Sequence, residues 1–166
     1  MWWIFITTAV VGIDQLTKYL ATAYLSPVGH ADFIPGLLSF HYVLNPGAAW
    51  GMLKSHPWIF MTLSSVAIIG IIVFFCIYKN RHPLLNVSLA LILGGGIGNM
   101  IDRFLFGEVV DFIHFTFISF PTFNIADCAV TVGGILLIIW FIFIDLPAER
   151  KKEKEKKNIS SGENDV

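Results

Sequence analysis

Leu84-Leu-Asn-Val-Ser-Leu-Ala-Leu-Ile-Leu-Gly94-Gly-Gly-Ile-Gly98-Asn99-Met-Ile-Asp102-Arg103-Phe-Leu-Phe-Gly107-Glu-Val-Val-Asp111-Phe112 begins as a long apolar run and ends in a polar phrase. A hydrocarbon core needs about 20 apolar residues per helix, and Leu84–Phe104 supplies that length. A second polar phrase, Phe123-Asn124-Ile-Ala126-Asp127, opens another apolar run, Ala126–Leu146. Ionisable side chains at membrane depth are costly, so they ask for a functional explanation. Asp111 and Asp127 each close one of these phrases, at the end of one apolar run and the start of the next. The spacing predicts that both carboxylates lie at one level of a helix bundle, with Asn99, Arg103 and Asn124 around them as hydrogen-bond donors.

Two further apolar stretches complete the bundle. Trp2–Leu25 is interrupted by Asp14 and Lys18, and Trp58–Tyr78 carries no charge. The first lacks a basic leader and holds charges inside its apolar run, which argues for a true helix rather than a cleaved signal peptide. The expected architecture is a membrane all-α bundle of four transmembrane helices, about residues 2–25, 58–78, 84–104 and 126–146. The turn Lys79-Asn-Arg81-His-Pro83 is short and basic, and so is much of the segment after residue 148. The positive-inside bias then puts both on the cytoplasmic side, with both termini inside. The longer connections, about Ser26–Pro57 and Leu105–Ile125, face outward. Within them Leu37–Leu44 alternates like a strand, and Val109–Phe117 is rich in β-branched and aromatic residues. A small extracytoplasmic β-sheet at the outer membrane surface follows, leaning on the bundle because two strands alone are marginal.

Composition agrees. The chain has 166 residues, 55% of them hydrophobic, and a mean hydropathy of +0.71, too apolar for an ordinary water-soluble domain. The membrane domain is expected over residues 1–148. Residues 149–166 hold six Lys/Arg and five Asp/Glu and read as a solvated cytoplasmic tail. Their mixed signs argue against nucleic-acid binding. Cys76 and Cys128 have no CxxC spacing, so neither a disulfide nor a thiolate site is indicated.

Asp14 and Lys18, at i and i+4, share one helix face and read as a structural ion pair. Asp102 and Arg103 read as a local pair at a helix end. The glycines of Gly94-Gly-Gly-Ile-Gly98 permit close helix packing. No Lys-Ser/Thr follows them, so they are not a phosphate loop. Asn45-Pro-Gly47-Ala-Ala-Trp50-Gly51 is turn chemistry, and it lines a groove if a substrate binds there. Two close carboxylates cannot both ionise cheaply and therefore share a proton near neutral pH, the behaviour of aspartic proteases. One then activates water and the other polarises a carbonyl. There is no HExxH pair, no G-x-S-x-G elbow, and no ligand spacing among His30, His41, His56, His82 and His114, so neither a metal nor a cofactor is expected. A proton-coupled transporter built on buried carboxylates is the alternative. It would want charges near the midplane and inverted repeats, whereas here the acids lie near helix ends and no repeat is visible.

Taken in order, Asp14-Gln-Leu-Thr-Lys18, Asn45-Pro-Gly47-Ala-Ala, Gly98-Asn99-x-x-Asp102-Arg103, Gly107-x-Val-Val-Asp111-Phe112 and Phe123-Asn124-x-Ala126-Asp127 resemble the motifs of the bacterial signal peptidase II family, over about residues 14–134. The resemblance implies an intramembrane aspartyl endopeptidase of the bacterial cell membrane. It would cut diacylglyceryl-modified prolipoproteins just before the lipidated cysteine, with inhibition by globomycin-type cyclic peptides. It implies that Asp111 and Asp127 are catalytic. Asn45, Gly47, Asn99, Arg103 and Asn124 would line the substrate groove, and Asp14, Lys18 and Asp102 would be structural polar residues. The expected partners are lipidated precursors and membrane lipids, and the expected state is a monomer.

Overall fold

A computed structural model describes residues 1–47, 57–79, 81–148, 150, 151 and 153. Helix α1 spans Trp3–Leu20 and continues as a π-helical turn over Ala21–Leu25. Strands β1 (His30–Ile34) and β2 (Leu38–Asn45) follow, then α2 (Pro57–Ile77), α3 (Pro83–Phe106), β3 (Val109–Phe115) and α4 (Ile125–Trp140). A second π-helical turn, Phe141–Asp145, extends α4. The segment 48–56, which includes Trp50 and Gly51 of the expected groove, lies outside the described residues, as does most of the tail.

The helices fall close to their expected bounds because length and hydropathy define them. Pro83–Phe106 and Ile125–Ala148, 24 residues each, are long and apolar enough to cross a bilayer, and Met61–Ile77 is a shorter apolar helix. Polarity is inverted relative to a water-soluble fold. The buried residues of α1 are Thr7, Asp14 and Lys18, on one face, while Phe5, Ile13, Leu16 and Tyr19 are exposed. On α2 and α4, Leu63, Val66, Ile69, Ile135 and Ile138 are likewise exposed. A surface this apolar calls for lipid or a partner to cover it.

Helix α3 is the hub, and its glycines are why. Successive residues turn by about 100°, so three in a row face three helices. A Cβ on Gly94 would lie 2.7 Å from the Val10 Cβ of α1, and one on Gly96 would lie 3.4 Å from Ile68 of α2. A Cβ on Gly95 would overlap the Ala126 carbonyl of α4. The expected role of this stretch in close packing is met residue by residue. On the facing side, Gly133 of α4 lies against Ser88 and Ile92.

Among the described residues the sheet has three antiparallel strands in the order β1-β2-β3, one more than expected. The missed strand, His-Ala-Asp-Phe-Ile over 30–34, is exposed at every position, so no burial alternation marks it. The expected pairing of the other two is met, with Ser39 opposite His114 and Val43 opposite Asp111. Between Phe40 and Val43, β2 advances three residues while β3 moves only two, from Ile113 to Asp111. That extra residue is a β-bulge beside Asp111, and bulges re-aim side chains near sites. The histidines are less scattered than the sequence implies. His30, His41 and His114, one per strand, gather with ring centroids 5.2 and 4.4 Å apart.

Candidate active site

Two turns bring the acids together. Gly107 ends α3 in the left-handed region, φ +79°, where a side chain would be strained, and its N–H donates to the Arg103 carbonyl. The chain reverses at once into β3, which carries Asp111. After β3 it doubles back, and Phe123 exchanges backbone hydrogen bonds with Ile113 at 2.8 and 3.0 Å. That bridge sets Asn124 and the start of α4 beside Asp111. Asn124 is the N-cap of α4. Its Oδ1 accepts from the Asp127 N–H at 3.0 Å, and its own N–H donates to Asp127 Oδ2 at 3.2 Å, a reciprocal capping box.

The free end of the same amide reaches the other acid. Asn124 Nδ2 donates to Asp111 Oδ1 at 2.7 Å, so one residue holds the Asp111 carboxylate by its side chain and the Asp127 carboxylate by its backbone N–H. Asn45 Nδ2 donates to the other oxygen, Asp111 Oδ2, at 2.8 Å, and Asn99 Nδ2 donates to Asp127 Oδ1 at 2.8 Å. Arg103 donates to the carbonyls of Asn99 and Gly47, each at 3.2 Å. Asp111 and Asn124 are buried, Asp127 is half-buried. Burial, reinforced by the nearby Asp127 charge, pushes the Asp111 carboxyl up to about 6. The amides of Asn45 and Asn124 and the Lys18 charge oppose the rise.

Behind this pair lies a buried ionic cluster. Lys18 Nζ is 2.8 Å from Asp14 Oδ2 and 2.9 Å from Asp102 Oδ2. The expected Asp14–Lys18 pair is present. The expected local pairing of Asp102 with Arg103 is corrected, since Asp102 turns inward to Lys18. Neighbours in a helix do not share a face. Gln15 had no assigned role in the sequence. Its Nε2 donates to Asp102 Oδ1 at 2.9 Å and to the Gly98 carbonyl at 3.2 Å. Its place between two charged positions of α1 was the available signal.

The acids sit at the polar end of a cavity of about 660 Å³. Asn45, Gly47, Asn99, Arg103, Asp111 and Asp127 line that end, while Ile68, Ile71, Ile92 and Val130 of α2, α3 and α4 line the rest. An apolar groove that meets paired carboxylates can hold an apolar chain and hydrolyse a bond at its polar end.

Comparison with known proteins follows the same line. The family described as signal peptidase (SPase) II matches residues 6–143. The lipoprotein signal peptidase of Symbiobacterium thermophilum is 41% identical over 144 residues, covering 86% of this chain and 95% of that protein. The lipoprotein signal peptidase of Brevibacillus brevis is 38% identical over 143 residues, covering 86% and 96%. Two solved bacterial membrane enzymes superpose with TM-scores of 0.78 and 0.77, at 38% and 36% identity. The first covers 84% of this chain and 87% of its own, the second 86% and 93%. The transporter alternative finds no support in these matches, and with a family match across most of its length the chain belongs to the signal peptidase II family.

Proposed function

We propose that this protein is an aspartyl endopeptidase that removes signal peptides from diacylglyceryl-modified prolipoproteins, with Asp111 and Asp127 as the catalytic pair. The observation that carries this is one residue, Asn124, bonded to both carboxylates at the polar end of an apolar groove, to Asp111 through its side-chain Nδ2 and to Asp127 through its backbone N–H. Family membership supplies the reaction class, and the lipoprotein signal peptidases it resembles supply the substrate class.

The chemistry needs only water. One carboxylate, ionised, takes a proton from water, and the protonated partner donates to the scissile carbonyl oxygen. Water's oxygen bonds to the carbonyl carbon, giving a tetrahedral diol. The proton then passes to the departing nitrogen, the C–N bond breaks, and a new carboxyl end and amine separate. A carboxyl lifted to about 6, as Asp111 is, is suited to proton exchange near neutral pH. Asn45, Gly47, Asn99, Arg103 and Asn124 line the groove around the cut, which falls just before the lipidated cysteine.

In this reading the chain crosses the bacterial cell membrane four times, through α1, α2, α3 and α4. The turn after α2 and the charged tail lie in the cytoplasm, and the sheet and acids lie at the outer face. The inverted polarity of α1 and the apolar surfaces of α2 and α4 support this. The signal-peptide helix and acyl chains enter the groove from lipid, the working unit is a monomer, and globomycin-type cyclic peptides compete for the same groove.

The test uses purified protein in detergent with a lipidated precursor. Asp111→Asn and Asp127→Asn are each expected to abolish cleavage while keeping cooperative unfolding, and the precursor without its diacylglyceryl group should be cut poorly. Parental turnover by either variant would overturn the catalytic assignment. Equal turnover of the two precursors would overturn the substrate class.

A further inference from the structure

We propose that Asp14, Lys18 and Asp102 act as one positioning clamp that holds the main chain beside both catalytic aspartates and fixes the amide of Asn99 toward Asp127. The inference rests on the peptidase reading above and deepens it.

A structural ion pair between Asp14 and Lys18 would need nothing more than their 2.8 Å contact. The cluster does more. Lys18 has three N–H donors, and each has an acceptor: Asp14 Oδ2 at 2.8 Å, Asp102 Oδ2 at 2.9 Å and Asn99 Oδ1 at 2.8 Å. Both carboxylates then reach past the ammonium. Asp14 Oδ1 accepts the Ala126 N–H at 2.9 Å, and Asp102 Oδ2 accepts the Val110 N–H at 3.4 Å. Ala126 immediately precedes Asp127, and Val110 immediately precedes Asp111. One ammonium on α1 is thereby tied, through one carboxylate each, to the backbone next to each acid. The Ala126 N–H lies in the first turn of α4 and needs an acceptor from outside its helix. Asn124 Oδ1 accepts the Asp127 N–H, and Asp14 Oδ1 serves the Ala126 N–H. A carboxylate there also suits the helix N-terminus.

The third contact decides an orientation. Lysine only donates, so Asn99 turns its oxygen to Lys18, a sense that Asn124 Nδ2 supports from 3.0 Å, and its own Nδ2 is left for Asp127. The other two amides are pinned in the same sense. The Gly47 N–H holds Asn45 Oδ1 at 3.0 Å, and the Asp127 N–H holds Asn124 Oδ1. Only for Asn99 is a pin supplied by a charged side chain. Asp14, Lys18 and Asp102 are 0%, 4% and 2% exposed, so water does not substitute for these contacts. A Cβ on Gly98 would lie 2.5 Å from Asp14 Oδ2, so the glycine leaves room for the clamp.

A purely structural cluster and a clamp differ in what the folded fraction of a variant does. The charged groups facing Asp111 are Asp127 from α4, Lys18 from α1 and Arg103 from α3. The Lys18 charge favours ionised Asp111, so its loss alone would move the acid limb of the pH–rate profile to higher pH. Lys18→Met is paired with Asp102→Asn, because the parent cluster carries two carboxylates and one ammonium and the double variant one carboxylate, the same net charge. The double variant, Asp102→Asn alone, the parent and Asp111→Asn are assayed on lipidated precursor for kcat, KM and pH profile, with cooperative unfolding as the folding readout.

For the folded double variant we expect kcat to fall about 100-fold, as a small misplacement of catalytic groups can cause, with KM within about threefold. Parental kcat in that folded variant would overturn the clamp. Should the double variant not fold, the isosteric Asp102→Asn decides. A fall in kcat of about tenfold, one lost hydrogen bond's worth, upholds the clamp, and a parental kcat overturns it. In either case an inactive Asp111→Asn leaves the peptidase reading standing, whereas a fully active one removes that reading itself.

Discussion

Asn124 carries two jobs on one amide, and substitution can separate them. Its oxygen caps α4 by accepting the Asp127 N–H, and its nitrogen donates to Asp111 Oδ1 at 2.7 Å, to Asn99 Oδ1 at 3.0 Å and to the Val110 carbonyl at 3.4 Å. Asn124→Ala removes everything. Loss of the cap costs about 1 kcal/mol, and loss of a hydrogen bond to a buried carboxylate about 1.5–3 kcal/mol. Asn124→Ser keeps a good cap but cannot reach Asp111. The serine variant should therefore be more stable than the alanine variant by about 1 kcal/mol and yet gain almost nothing in activity over it. If the Asp111 contact is needed in the transition state, kcat falls roughly 10- to 150-fold, at about 1.4 kcal/mol per factor of ten. The amide also favours the ionised carboxylate, so its loss lifts Asp111 further above its value of about 6, and the acid limb of activity moves up with it. Thermal unfolding in detergent reads the first effect, and steady-state cleavage of lipidated precursor across pH reads the second. A serine variant with parental kcat and an unmoved acid limb would refute the view that Asn124 joins the acids for chemistry rather than merely starting a helix.

Burial of Asp111 predicts a second effect, on stability. The carboxyl moves from its ordinary 3.8 to about 6 on folding. Below pH 3.8 it is protonated in both states and costs nothing. Between these values the folded state keeps a proton that the unfolded state has lost, so stability falls as pH rises, and above pH 6 the whole cost is in place. Asp111→Asn should therefore be inactive but more stable than the parent at pH 7, by up to about 3 kcal/mol, and no more stable at pH 3.5. Unfolding scans at the two pH values test this, and an equal gain at both would sink the explanation. Adjacent glycines on α4 offer a third test. A Cβ on Gly133 would lie 2.7 Å from the Ser88 carbonyl of α3, while one on Gly134 meets open space. Gly133→Ala should lose about 1–3 kcal/mol to overpacking. Gly134→Ala should gain up to about 1 kcal/mol from lower backbone entropy, and a reversed order would show that α3 and α4 do not meet at Gly133.

What could be read from the sequence, and what could not, divides along physical lines. Helices α2, α3 and α4 were legible because solvent chemistry alone marks them, β2 because its residues alternate, and β3 because β-branched and aromatic residues crowd it. β1 was not, since five exposed residues leave no pattern to find. The Asp14–Lys18 pair was legible because i,i+4 spacing is local geometry. The partner of Asp102 was not. Adjacency in sequence pointed to Arg103, yet a step of one residue along a helix turns side chains about 100° apart, which sends Asp102 to Lys18 and Arg103 toward Gly47. The contact of Asn45 with Asp111 was hidden for a different reason. It depends on a strand register containing a bulge between Phe40 and Val43, and one residue fewer there would turn the opposite face of β2 toward Asp111. The amide orientations are further out of reach, because each follows from which neighbour holds its oxygen. The polar residues that looked costly in an apolar chain are thus the ones whose mutual contacts specify the site, and their burial, rather than their charge, is what ties the fold to the chemistry.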